Sequence, residues 1–382
     1  MAQRPASSHD SDSGVFTHLD AEIPDHPPGS SSSAGEPVVS LHAGPGDAEL
    51  RGPDAVDPLP GQPIEALDSQ SESGDSGYDE KSLSTASLRS SIFHYEHEFG
   101  RSYHSFRRGK YVLPNDEREQ DRMDIHYHAL RLTLENKHFI APIEAPTSVL
   151  DVGTGTGIWA MDVADDFPGA HVLGIDLSPI QPTAVPPNAE FQIMDADEEW
   201  DFGPRFDFVH TRLMGGFCVK SWQHFYQQAF QSLQPGGWVE NQEFDVHFGC
   251  DDGTLPANSS SQQWAELWGQ GIRNLGLESR IFPEQMLAQM RDAGFINVTY
   301  REYKMPIGEW PKNKRLRKSG LFNMIGMIDG LSGLTVKTFT HGLGWSEVET
   351  EILVAKVKSE LQNRRYHTYF PIHVLYGQKP PI

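Results

Sequence analysis

Cysteine is nearly missing from this chain: Cys218 and Cys250 are the two in 382 residues. They stand at no metal-ligand spacing and form no disulfide framework, which excludes a zinc module and a stapled secreted scaffold and points to a reducing compartment, cytoplasmic or nuclear. Long apolar runs are missing too. Nowhere do about 18 apolar residues follow one another, so no membrane-spanning helix is expected, and the stretch from Met1 to Ser8 lacks the apolar segment of a secretory signal. Positive charge is scarce: 31 Lys and Arg face 53 Asp and Glu, for a net −22. Non-specific nucleic-acid binding needs a basic face, so no direct nucleic-acid partner is expected. The one basic cluster, Lys312 to Lys318, reads as the solvated face of a helix, because Leu316, Leu321, Phe322 and Ile325 follow at helical spacing.

What is present is unevenly spread. Residues 1–90 are rich in Ser, Gly and Pro and hold 16 acids against 4 bases. Such a stretch buries too little apolar surface to offset its ordering entropy, so a disordered tail is expected over 1–91. Aromatics become frequent from residue 92. An N-terminal helical elaboration is expected over 92–145, with a helix from Asn115 to Phe139 capped by Asn115 or Asp116. From there to 382 the pattern alternates strand and helix, as a parallel α/β sheet requires, with a helical insertion at about 308–362. The strands read as Ser148–Val152, Val172–Asp176, Glu190–Met194, Phe206–His210, Trp238–Phe244, Phe295–Met305 and Tyr366–Tyr376. The last two are expected to form an antiparallel edge pair. Trp222, Phe225, Tyr226, Ala229, Phe230 and Leu233 share one helical face and read as core. Ser346 and Glu349 read as a capping box.

The chemistry sits where the first of these strands ends. Val149-Leu150-Asp151-Val152 runs into Gly153-Thr154-Gly155-Thr156-Gly157, three glycines at alternate positions, and then into a helix. Glycines there permit a sharp turn and a close approach of ligand to backbone. Asp176 ends the second strand 25 residues after Asp151, about the distance at which a doubly wound fold sets a carboxylate on a ribose diol. A dinucleotide fingerprint would place its third glycine where Ile158 stands. The shifted glycine and the acid before the loop favour S-adenosylmethionine, whose ammonium Asp151 would offset and whose carboxylate the loop N–H groups would meet. No nucleophile elbow, zinc spacing or phosphate loop competes, and no metal is expected.

These features resemble the class I, Rossmann-like S-adenosylmethionine-dependent methyltransferases, over about residues 145–245 in motif order. Ile193-Met194-Asp195-Ala196-Asp197 resembles that family's adenine-side strand end, Phe206-Asp207-Phe208-Val209-His210 its fourth strand, and Leu233-Gln234-Pro235-Gly236-Gly237-Trp238 its turn before the fifth. The chain is most similar to the fungal LaeA-like methyltransferases. That similarity rests on Asp116-Glu117-Arg118-Glu119-Gln120-Asp121-Arg122, Val209-His210-Thr211-Arg212, Gly237-Trp238-Val239-Glu240, Trp310-Pro311-Lys312, and the closing Tyr366-His367-Thr368-Tyr369 and Tyr376-Gly377-Gln378-Lys379-Pro380. The resemblance implies a seven-stranded doubly wound sheet with helices on both faces. It implies methyl transfer to a small-molecule or protein acceptor in fungal secondary metabolism, as tailoring enzyme or regulator. A catalytically silent scaffold in a transcription-regulating complex, with regulatory protein partners, is the alternative.

The site expected on this basis comprises Asp151 for the methionine ammonium and Gly153, Thr154, Gly155 and Gly157 for backbone approach. Asp176 would take the ribose hydroxyls, Leu177 would pack on adenine, and Asp195 with Ala196 would meet its edge. Asp195 also reads as a solvated loop acid, beside Asp197 and Glu198. Methyl transfer is an in-line displacement that needs a base only if the acceptor must lose a proton. His210 is the candidate by position and titration range, with a locally bonded structural histidine as the other reading. Arg212, Glu240, Glu243, Tyr103 and His104 are further possible lining groups. His126 and His128, two apart on a helix, read as ordinary helix residues.

Overall fold

The computed structural model describes residues 95–104, 111–215 and 218–382. The acidic leader and its serine tract lie outside the described residues. Seven strands form one sheet: β3 (Ser148–Val152), β4 (His171–Asp176), β5 (Ala189–Ile193), β6 (Phe206–Arg212), β7 (Leu233–Phe244), β8 (Ile296–Pro306) and β9 (Tyr369–Gln378). Their spatial order is β5-β4-β3-β6-β7-β9-β8. Neighbours are parallel from β5 through β7, while β9 runs antiparallel to both β7 and β8. The two last strands do pair antiparallel, but β9 lies inside the sheet and β8 alone takes the edge. β9 is buried on both faces, Phe370, Ile372 and Val374 in one layer and Leu375 in the other, which a solvated edge strand would not be.

Strand alternation divides the core in two. Val149, Val172 and Phe208 face one layer, built with α1 (Glu117–Thr133), α2 (Ile158–Asp166), α4 (Ser260–Asn274), α6 (Lys314–Leu343) and α7 (Glu347–Leu361). Leu150, Leu173 and Val209 face the other, built with α3 (Trp222–Ser232) and α5 (Pro283–Asp292). Period-two side chains on a sheet covered by helices on both faces give this double winding. The Ser346–Glu349 capping box opens α7, with both reciprocal bonds present.

Residues 92–145, expected to be helical, instead open on a hairpin of β1 (Tyr95–Glu98) and β2 (Arg101–His104). Asp116 then caps α1, accepting from the Glu119 N–H at 3.1 Å, and its carboxylate also holds Arg101 of the hairpin at 2.7 Å. One acid thus fixes both the start of α1 and the hairpin against it. The helix ends at Thr133 rather than Phe139, because Glu135 and Asn136 take positive φ.

Candidate functional site

The C-terminal ends of β3, β4 and β6, the end of β5 and the start of α1 surround a cavity beside the glycine loop. Parallel strands sharing one direction bring those ends to one edge of the sheet, where α/β folds bind ligands. Gly153, Thr154, Gly155, Asp176, Leu177, Asp195, Ala196 and Arg212 all line it. Gly157 does not: it is the N-cap of α2 at φ 83°, and a Cβ there would meet the Phe191 ring at 2.5 Å. Gly155, at φ +60°, has only the Met123 sulfur within 4 Å of where its Cβ would stand, at 3.7 Å. Its bare Cα therefore leaves room for a ligand to approach the loop backbone.

Asp176 accepts from the Gly155 N–H at 2.8 Å and from the Ser178 N–H at 2.9 Å. Burial pushes its carboxyl up to about 6, against those two bonds. Each oxygen keeps a lone pair for a hydroxyl, which suits a diol. Asp195 is 5% exposed and turns one oxygen to the Asp197 N–H at 2.9 Å, so it is a buried loop-fixing acid at the cavity wall rather than a solvated one.

Asp151 lies elsewhere than expected. It is 3% exposed, with one oxygen bound by the Thr154 hydroxyl at 2.6 Å and the other 2.8 Å from His210 Nδ1. It does not line the cavity. His210 is wholly buried, stacked on Trp159 with ring centroids 3.7 Å apart and planes 6° apart. Burial lowers its pKa against the pull of Asp151, and its ring does not line the cavity either. The expected base is a packed histidine behind the loop, and the expected ammonium partner is the acid that holds it.

Four of the loop amides are likewise committed. Gly153 and Thr154 donate to the Ile175 carbonyl at 2.8 and 3.0 Å, Gly155 donates to Asp176, and Gly157 donates to the Thr154 carbonyl at 3.0 Å. These four cannot also receive a carboxylate. Arg212 offers the alternative: it lines the cavity with its guanidinium 4.8 Å above the Tyr127 ring, and burial lowers its pKa. Cation–π contact steadies such a group without neutralising it.

Glu240 and Glu243 sit off the cavity. Glu240 receives the N–H groups of Ile140 and Ala141 at 2.7 and 2.5 Å, and burial pushes it up to about 7. Glu243 receives those of Met214 and Gly215 at 3.2 and 3.0 Å, and burial pushes it up to about 8. Both pin loops instead of touching ligand. Tyr103 and His104 are buried in the hairpin. Conversely, Arg122, Met123 and His126 of α1 line the cavity. A helix that merely looked amphipathic gave no sign of which polar residues would face a ligand.

Residues 124–300 match the family model described as a methyltransferase domain. Methyltransferase pytC of Aspergillus terreus is 36% identical over 299 residues, covering 78% of this chain and 92% of that protein. The secondary metabolism regulator LAE1 of Cochliobolus heterostrophus is 36% identical over 295 residues, 74% of this chain and 94% of its own. The protein-methionine methyltransferase laeA of Emericella nidulans is 34% identical over 293 residues, 75% and 77%. Among solved structures, a phosphoethanolamine N-methyltransferase of Haemonchus contortus in complex with S-adenosyl-L-methionine is 17% identical at a TM-score of 0.41, over 79% of this chain and 74% of that one.

Proposed function

Because the chain belongs to the class I S-adenosylmethionine-dependent methyltransferases, in the fungal group that includes pytC and the LaeA proteins, we propose that it methylates a small molecule of fungal secondary metabolism inside the cavity at the glycine loop. The observation carrying this reading is the shared cavity wall of Gly155 and Asp176, a bare backbone and a partly buried carboxylate 2.8 Å apart.

S-adenosylmethionine supplies a methyl group on a sulfonium that departs as a neutral thioether. Asp176 would accept from the ribose hydroxyls, Leu177 would pack on the adenine, and Asp195 and the Ala196 N–H would meet its edge. Arg212 would pair with the methionine carboxylate, which the four committed loop amides do not meet. Asp151 and His210 hold the loop's shape from behind: the Thr154 hydroxyl hangs from one Asp151 oxygen and the His210 ring steadies the other. Arg212 and Asp176 thus fix the donor at its two ends, and orientation of this kind is the protein's main contribution to an in-line transfer.

Calorimetry with S-adenosylhomocysteine tests the assignment. Wild type should bind it, Gly155→Arg should not, and Asp176→Ala should weaken it about tenfold or more, as loss of charged hydrogen bonds worth ~1.5–3 kcal/mol requires. Arg212→Met should weaken S-adenosylmethionine while leaving its decarboxylated analogue unaffected. Equal weakening of both would remove Arg212 from the carboxylate.

A further inference from the structure

The cavity continues past the glycine loop into a second half of different chemistry. Phe244 at the end of β7, Trp264 and Trp268 one turn apart on α4, Met327 and Leu334 on α6, and Phe370 of β9 line it. The indole N–H groups that could have made this half polar face away from it: Trp264 donates to the Thr335 hydroxyl at 2.8 Å and Trp268 to the Leu334 carbonyl at 2.9 Å. What these six side chains present to the cavity is ring face and hydrocarbon; Tyr111, Asn115 and Arg122 also line it. Protein interiors are close-packed, so an apolar hollow opening onto the cofactor half is a site shaped for an occupant.

The wall selects that occupant. A peptide would bring an N–H and a C=O per residue, more polar groups than the few polar side chains there can pair, and unpaired buried groups weaken binding. At the seam between the halves stands His126 of α1, its ring 5.6 Å from that of Phe244. Burial, with Arg122 and Arg212 nearby, lowers it to about 3, so the imidazole is neutral and offers one acceptor and one donor.

Resting on the cofactor reading above, we propose that this half is the acceptor site, that it takes a largely apolar, ring-bearing small molecule with a hydroxyl, and that His126 holds the hydroxyl toward the sulfonium. The hydroxyl oxygen forms the new bond to the methyl carbon while the carbon–sulfur bond breaks and sulfur keeps its electron pair. The alkylated oxygen is then far more acidic than an imidazolium, so its proton passes to the neutral ring and on to water.

The test uses the full chain saturated with S-adenosylhomocysteine and titrated with 2-naphthol and 4-hydroxybiphenyl. At least one should bind, and with S-adenosylmethionine its methyl ether should appear by mass spectrometry. Leu334→Trp, which fills the hollow, should weaken probe binding more than tenfold and leave S-adenosylhomocysteine affinity within twofold; Val246→Phe serves if that variant does not fold. His126→Phe should keep probe binding within about threefold and lower turnover tenfold or more. Protein that binds S-adenosylhomocysteine but neither probe overturns this proposal alone, as does a filled variant that binds probe like wild type, or methylation of peptides in place of the probes. Wild-type protein that ignores S-adenosylhomocysteine overturns the cofactor reading, and the acceptor proposal with it.

Discussion

A buried carboxylate can serve a ligand or serve the chain, and burial alone does not say which. Asp151 and Asp176 both end strands beside the glycine loop, yet one is closed off by Thr154 and His210 while the other keeps lone pairs toward the cavity. Their types and spacing were legible in the sequence, which is why the loop and Asp176 were found. Their directions were not, because these depend on the neighbouring strand: β6 places His210 opposite Asp151, and no local pattern reports such a pairing. Glu243 makes the point titratable. Its pKa, raised by burial from 4.5 to about 8, means the folded state holds its proton where the unfolded chain has released it. Stability is then greatest below about pH 4.5 as far as this group is concerned and declines as pH rises toward about 8; Glu240, raised to about 7, adds in the same direction. Below about pH 6.5 the buried neutral histidines His126 and His210 act in the opposite direction, so the effect is read above it: thermal melts between about pH 6.5 and about pH 8 should show Tm falling with pH, and Glu243→Gln should flatten the slope. A slope unchanged in that variant would remove Glu243 as its source.

At the level of elements, α6 is the piece least explained by its own sequence. It runs 30 residues with glycines at 320, 326, 330, 333 and 342, each unfavourable in an isolated helix by about 1 kcal/mol relative to alanine. Tertiary packing accounts for them. A Cβ on Gly320 would stand 2.1 Å from the Gly308 carbonyl oxygen, one on Gly330 would meet the Arg122 side chain at 2.0 Å, and one on Gly342 would meet the Gly271 carbonyl at 2.5 Å. The helix therefore lies close to the β8–α6 turn, to α1 and to α4 at once. Gly320→Ala should cost ~1–3 kcal/mol, the usual range for overpacking, because backbone must move to admit it; a denaturant midpoint equal to wild type would show the contact to be slack. Periodicity at Leu316, Leu321 and Phe322 was enough to expect a helix there, but its length depends on neighbours that periodicity does not register. The signals for α4 were present and passed over: Ser259 caps it by accepting from the Gln262 N–H at 3.2 Å, and Trp264, Trp268 and Ile272 recur every fourth residue on its buried face. The β1–β2 hairpin had weaker signals, since its four-residue strands carry charge and aromatics without an apolar face.

At the scale of the whole molecule, the parallel half of the sheet was readable because each strand is a short apolar run followed by a helix of clear period. The order of the last two strands was not, since sequence distance says nothing about which of two antiparallel partners sits inside. The cavity touches β3, β4, β6 and α1 on one side and α4, α6 and β9 on the other, so a ligand bound there links early and late parts of the chain. S-adenosylhomocysteine at about 100 times its Kd should stabilise the fold by ~2.7 kcal/mol, read as a rise in Tm that Asp176→Ala, binding about tenfold more weakly, cuts to about half or less. No rise in wild type would mean the ligand does not select the folded state.

The central place of β9 bears on how the protein is made. Residues 369–378 are the last strand in chain order, yet they sit between β7 and β8 with partners along both edges. A ribosome that has delivered everything through α7 has still produced a sheet with a gap, exposing the facing edges of β7 and β8 to any extended segment nearby. Closure waits until translation has passed Gln378 and that strand has cleared the exit tunnel. Until then the open edges of β7 and β8 are templates for wrong pairing.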